Sequence, residues 1–318
     1  MAKKNPSDLA GSARRSWKTE FRRDWVVYLL FVPIIVYEVV LHYLPMFGIV
    51  MAFEDYNVID GYFRSPWVGF KHFIDLFSGE DFPIAIRNTV AIGLIRCTFG
   101  FVAPILFALM LSLINSKKFK RVAQTMSYMP NFVAAVIVCS LFTQFLSKDG
   151  PLTMLLTKVF GAENQNWFAN DQIPVFWIIY TLMGIWQSIG WGSIMYVAAI
   201  SQVSGDLHEA AALDGASRLQ RMWKITIPSI LPMVLMMFVI NVGTALAAGY
   251  DNILLLYMPS TYNVSDTVYT YTYRQAFGGG TTNYSLSAAS GLFQSVVSTI
   301  LLVGSNALSR KAAGSSLF

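Results

Sequence analysis

The chain has 318 residues, of which 55% are hydrophobic and 13% charged, and its formal net charge is +5. Soluble globular domains carry about twice that share of charge, so the composition argues against a water-soluble enzyme and for a polytopic membrane protein. The positive balance calls for no nucleic acid, because anionic membrane lipid is partner enough.

Apolar runs that reach the roughly 20 residues needed to cross a bilayer recur six times, at 25–53, 88–115, 123–146, 173–198, 230–256 and 286–308. They lack the period-2 alternation of barrel strands, and lipid cannot satisfy open backbone groups. The expectation is an all-α integral membrane fold of six transmembrane helices. Residues 1–24 read as a basic cytosolic tail and 25–318 as one transmembrane domain, with no internal repeat. The pair Arg14–Arg15 is no twin-arginine export signal, since the run after it is too long and no cleavage site closes it.

Taken in order, the first span carries Glu38 and His42, four apart on one face. The following loop, 54–81, places Trp67, Phe70, Phe73, Ile74 and Phe77 at helical spacing, which predicts a short interfacial helix. The second span holds Arg96, about 13 Å along the helix from Arg87. An ionised group at that depth costs about 2.5–3.5 kcal/mol. Arg96 therefore either pairs with Glu38 as structural glue, the favoured reading, or meets an anionic sugar. Cys97 and Cys139 lie inside apolar runs as small buried hydrophobes, without disulfide or metal spacing.

The loop 147–172 is turn-rich and polar. In the fourth span Trp186, Gln187 and Trp191 combine flat aromatic faces with an amide, as a pyranose ring requires; an interfacial belt is the competing reading for the tryptophans. In the fifth, Asn241, Tyr250, Asp251 and Asn252 add polar groups, Asn241 being equally suited to an interhelical hydrogen bond. The loop 257–285 contains Tyr269, Tyr271 and Tyr273 in strand-like alternation, which leaves helix and strand open.

Between the fourth and fifth spans stands HEAAALDGASRLQRMWKITIPSILP, residues 208–232. Asp206 with Glu209 has capping-box spacing, predicting a helix from Leu207, and Asp214-Gly215 ends it. Ser217 with Gln220 repeats the spacing and opens a second helix, with Leu219, Met222, Trp223 and Thr226 on one face and Pro228 as its stop. Lys and Arg counts orient this hairpin, 199–229: sixteen of the 23 fall on its side of the membrane, which is therefore cytosolic together with both termini.

The spacing E-A-A-x-x-x-G-x9-I-x-x-P, here Glu209, Ala210, Ala211, Gly215, Ile225 and Pro228, resembles the cytosolic signature of permease subunits of ATP-binding-cassette importers. Ile227 stands where that family usually has leucine. The stretches HYLPMFGIVMAFEDYN, SPWVGFKHF, GYDNILLLY and DTVYTYTYR are similar to the carbohydrate branch, specifically the lipoprotein-B-like oligosaccharide permeases. The resemblance implies that the hairpin, Asp214 included, couples to ATPase subunits and that the chain forms half of a translocation pathway. It implies as partners a second homologous permease chain, two ATPase subunits and an extracytoplasmic solute-binding protein in a bacterial plasma membrane. ATP and Mg would bind to the ATPase subunits, because this chain has no G-x-x-x-x-G-K-[ST] and its Gly278-Gly279-Gly280 run lacks the lysine. No cofactor or metal is expected in the chain itself. A permease for peptides or polyamines shares the architecture. An ion-coupled carrier would more often show inverted repeats or broken spans.

Overall fold

A computed structural model describes residues 17–244, 250–278 and 282–313. Among them every regular element is helical, as a chain that must satisfy its own backbone in lipid requires. The one β-type contact is an isolated antiparallel bridge between Glu54 and Trp67.

The chain divides into two compact units, Met1–Val50 and Met51–Phe318. The first contains α1 (Trp17–Glu38), which winds on through a π-helical turn, Val39–Tyr43. Its Glu38 carboxylate lies 3.2 Å from Nδ1 of His42, the shared face expected from their spacing. Lys3, Lys4, Arg14 and Arg15 lie outside the described residues.

The second unit runs through α2 (Lys71–Ser78), α3 (Asp81–Ile95), α4 (Phe101–Leu113), α5 (Lys117–Tyr128), α6 (Ala135–Phe145), α7 (Pro151–Phe160) and α8 (Val175–Ser201). It continues with α9 (Gly205–Leu213), α10 (Arg218–Arg221), α11 (Ile227–Thr244), α12 (Tyr250–Leu256), α13 (Tyr262–Ser265), α14 (Val268–Phe277) and α15 (Tyr284–Ala313). Four described helical stretches are long and apolar enough to cross a membrane: Arg23–Phe53, Asp81–Leu113, Arg218–Thr244 and Tyr284–Lys311. A fifth arises if Lys117–Phe132 and Ala135–Phe145, which meet at 99°, count as one span.

Prolines do not end these helices, and the reason is local. Proline deprives the carbonyl four residues earlier of its donor. For Pro45, Pro104 and Pro228 that carbonyl belongs to Leu41, Gly100 and Lys224, each inside a π turn, at 39–43, 96–100 and 222–226. The wider register lets the chain close around the missing bond, as at Ile227, whose N–H reaches the Met222 carbonyl.

Several expectations are corrected. Pro228 does not stop the hairpin's second helix: α10, the π turn and α11 form one stretch, Arg218–Thr244. The first hairpin helix starts at Gly205 rather than Leu207, because the Ser204 hydroxyl accepts the Asp206 N–H at 3.2 Å and so supplies the cap that Asp206 was expected to give. Leu219 and Trp223 are exposed, and of that face only Thr226 is buried. The run 123–146 breaks where Val133 and Ala134 take extended angles just past Pro130. The tyrosines 269, 271 and 273 lie on α14, its start fixed by reciprocal bonds between Thr267 and Thr270. The short helix expected in 54–81 is α2, but His72 and Leu76 are its buried residues, while Trp67, Phe70, Ile74 and Phe77 are exposed.

Within this unit α4 packs along α8, α11 along α15, and α14 on α15. One core cluster gathers Ile92, Phe176, Met183 and Val264 with Cys139, a free buried thiol; Cys97, also free, is partly exposed. The non-helical segment between α13 and α14 is secured by Asn88, fully buried in α3, whose Nδ2 donates to the carbonyls of Asn263 at 3.1 Å and Asp266 at 2.9 Å. Beside it Arg274 donates to Asp266 at 2.5 Å and lies over the Tyr262 ring at 4.7 Å. Burial pushes the Asp266 carboxyl up, against the downward pull of the Thr270 hydroxyl and the Arg274 guanidinium.

The tightest helix crossing is at Gly190 of α8, where an added Cβ would sit 2.1 Å from the Ser127 carbonyl oxygen. Gly190→Ala is expected to lower stability by about 1–3 kcal/mol, the usual range for overpacking. Gly304→Ala, with nothing within 4 Å of the new carbon, should leave it unchanged or slightly raised. Thermal unfolding of the detergent-solubilised variants compares the two, and equal midpoints would contradict the assigned contact.

Candidate functional site

The hairpin is built from local signals. The Leu213 end of α9 is closed by Gly215 at φ +80°, with the Ala216 N–H on the Ala211 carbonyl at 2.9 Å and the Gly215 N–H on that of Ala212 at 3.1 Å. These two bonds form the left-handed helix stop that glycine takes without a Cβ penalty. Ser217 then caps α10, its hydroxyl accepting the Gln220 N–H while Gln220 Oε1 accepts the Ser217 N–H at 2.7 Å. Glu209, Ala210, Asp214 and Gly215 are exposed, Ala211 is partly exposed, and Leu213 is 90% exposed. Ile225 lies in the π turn and Pro228 in the first turn of α11. The hairpin therefore offers an exposed alanine run, flanked by Leu207 and Leu213, on a bend set by Gly215.

A second feature is a cavity of about 370 Å³ bordered by α4, α8, α11 and α12. Arg96, Gln187, Trp191, Asn241 and Asn252 all line it, so five of the expected positions converge, and no carboxylate is in its wall among the described residues. Gln187 donates to the Val133 carbonyl at 3.3 Å, satisfying backbone freed by the break before α6, and Asn252 Nδ2 faces Gln187 Oε1 at 3.5 Å. Trp191 meets Phe132 edge-on at 5.6 Å between centroids. The Asn241 side-chain oxygen is buried and has no hydrogen-bond partner, so the interhelical bond considered for it is absent on that atom.

Trp186 is not in this wall: it turns toward Phe142, 5.4 Å away. Asp251 is exposed at the start of α12 and outside the wall, and the Tyr250 side chain lies outside the described residues. Arg96 and Glu38 belong to different units; Glu38 finds His42, and Arg96 borders the cavity. Tyr180, Thr181, Ser188, Tyr196 and Thr244 add hydroxyl groups to the wall and were missed. Helical spacing from Gln187 could have found Gly184, Trp191 and Tyr180, at three, four and seven residues on one face.

Residues 100–313, from the π turn after Arg96 to the end of α15 and so including the hairpin and nearly all of the cavity wall, match the binding-protein-dependent transport system inner membrane components. This chain belongs to that family. Relatives of this inner membrane component extend the likeness over its whole length. Protein LplB of Bacillus subtilis (strain 168) is 35% identical over 309 residues, covering 95% of this chain and 94% of its own. The polygalacturonan/rhamnogalacturonan transport system permease protein YteP of the same organism is 37% identical over 287 residues, covering 90% and 88%. Among solved structures, a bacterial transporter that imports the acidic polysaccharide alginate contains a chain 35% identical to this one, with TM-score 0.85 over 93% of this chain and 98% of that. The same transporter with an alginate pentasaccharide-bound periplasmic protein matches at TM-score 0.86, over 95% and 100%. The chain is thus an integral membrane transport component, and its helical unit follows a solved permease arrangement.

Gln187→Leu removes both the donor to Val133 and the acceptor for Asn252. The expected loss is about 1–3 kcal/mol for the buried groups left unpaired, read as a lower unfolding midpoint. Asn252→Ala, which leaves the Gln187 donor on Val133 in place, should lose less.

Proposed function

We propose that this chain is one permease subunit of an ATP-driven importer that takes acidic oligosaccharides from polysaccharide breakdown across a bacterial plasma membrane. The single observation that carries the reading is the cavity: among the described residues of its wall Arg96 is the one ionisable cation, set among amides, hydroxyls, aromatic faces and apolar side chains, with no carboxylate. A guanidinium without an ion pair among the described residues suits a uronate carboxylate, and amides with a tryptophan suit a sugar ring. Relatives named for polygalacturonan, rhamnogalacturonan and alginate support the acidic class.

In this reading the permease domain, 25–318, crosses the membrane six times. The bent pair α5–α6 is the third span, and α8, 27 residues long, is the fourth, its tryptophans and Gln187 making it less apolar because it faces the pathway. The basic tail, 1–24, both termini and the hairpin face the cytosol, following the bias of Lys and Arg. The hairpin docks on one of two ATPase subunits, which bind ATP and Mg and perform the hydrolysis; this chain does none. A second, homologous permease supplies the other half of the pathway, and an extracytoplasmic solute-binding protein delivers the sugar, as the periplasmic protein of the alginate transporter does for its pentasaccharide.

Transport in proteoliposomes of the assembled complex, measured over a panel of charged and neutral oligosaccharides with the binding protein present, tests the reading. Arg96→Met is expected to reduce import of uronate oligosaccharides about 10-fold or more, the worth of a hydrogen bond to a charged group. Neutral sugars, if carried at all, should be unaffected. Equal loss for both classes would return Arg96 to a purely structural role. Gly215→Val, which puts a β-branched residue at φ +80°, should abolish sugar-stimulated ATP hydrolysis while the permease still folds. Full stimulation in that variant removes the hairpin from coupling.

A further inference from the structure

Three long helices stop close together at the end of the unit remote from Asp81. There α4 ends at Ser112 and Leu113, α8 ends just past Ile200, and the Arg218–Thr244 helix begins. Between them and His208 of α9 lies a cavity of about 250 Å³. Arg218, Arg221 and His208 line it together with Ser112, Asn115 and Thr226, and no carboxylate does. Neither arginine forms an ion pair among the described residues. Arg221 donates from Nη1 to the His208 carbonyl at 3.1 Å, which fixes the plane of its guanidinium, while its buried Nε is left without an acceptor. Just beyond Asn115 the chain adds Lys117, Lys118, Lys120 and Arg121.

Two unneutralised guanidinium groups, one held in plane with an unused donor, joined by hydroxyl and amide groups in a concave site, match a tetrahedral oxyanion better than a single planar carboxylate. The depth is also informative: where membrane-length helices end, phospholipid headgroups begin, and basic pockets between such helices take their phosphates. We propose that this cavity binds a phosphate group, carried by the headgroup of an anionic phospholipid or by a soluble phosphate. It stands apart from the sugar cavity and from the exposed face of Glu209, Ala210 and Gly215.

The test uses the intact transporter, delipidated in detergent and titrated with phosphatidylglycerol under native mass spectrometry. Wild type is expected to hold its tightest phosphatidylglycerol at least 10-fold more strongly than Arg218→Gln/Arg221→Gln. It should exceed Ser112→Phe by a similar factor, since that variant fills the cavity from the α4 side without touching either arginine and so decides the matter should the double variant fail to assemble. Displacement of the lipid by inorganic phosphate supports the site and assigns a soluble source, whereas resistance supports it and assigns the headgroup. Unchanged retention in the variants overturns the proposal. So does a map of the assembled transporter in which a carboxylate of an ATPase subunit is seated between the two arginines.

Discussion

Where this chain leaves the helix, something must still satisfy its backbone, and the architecture follows from how that demand is met. Backbone polar groups buried away from water cost free energy when unpaired, so a buried irregular stretch is stabilised by a polar side chain sent from a neighbouring helix. Asn88 does this for the segment between α13 and α14, and Gln187 does it for the break before α6. The π turns ahead of Pro45, Pro104 and Pro228 meet the same demand from within the helix. The polar groups scattered through the apolar runs are thus divided between two tasks, holding unwound backbone and lining a space. Gln187 does both.

That double duty connects the fold to transport. A cavity between helices is useful to a sugar only if its polar wall is held in place before the sugar arrives, and a side chain already engaged by a backbone carbonyl is so held. Arg96 enters the same wall without an ion pair among the described residues, from the first position of the π turn that joins α3 to α4. The hairpin, at the remote end of the unit, shows the opposite character: capped at both turns, rich in alanine and open to solvent. Under the proposed function the first region receives a small polar solute and the second a protein surface.

Much of this was legible in the residues because the signals were local. Gly215 as a helix stop and Ser217 with Gln220 as a capping pair depend on neighbours a few residues away, and they occur where the spacing placed them. Arg96, Gln187, Trp191, Asn241 and Asn252 were conspicuous because polar groups in apolar runs are costly. The rest depended on facts no single segment carries. Whether Trp186 or Gln187 faces the cavity is decided by the rotation of α8, set through packing such as the Gly190 contact with Ser127. The bend at Val133 needs Gln187, distant in sequence, to be tolerable. Pro228 read as a stop because the π turn before it has no sequence signature of its own, and Tyr269–Tyr273 alternates by composition while the Thr267 cap makes it helical.

The unbroken course of the chain from Arg218 to Thr244 has a mechanical consequence. The second arm of the hairpin and the wall of the larger cavity share one helical stretch, and Asn241 lies about 35 Å along it from Arg218. A tilt of that stretch by a few degrees displaces one end relative to the other by roughly 2–3 Å, about the width of a hydroxyl.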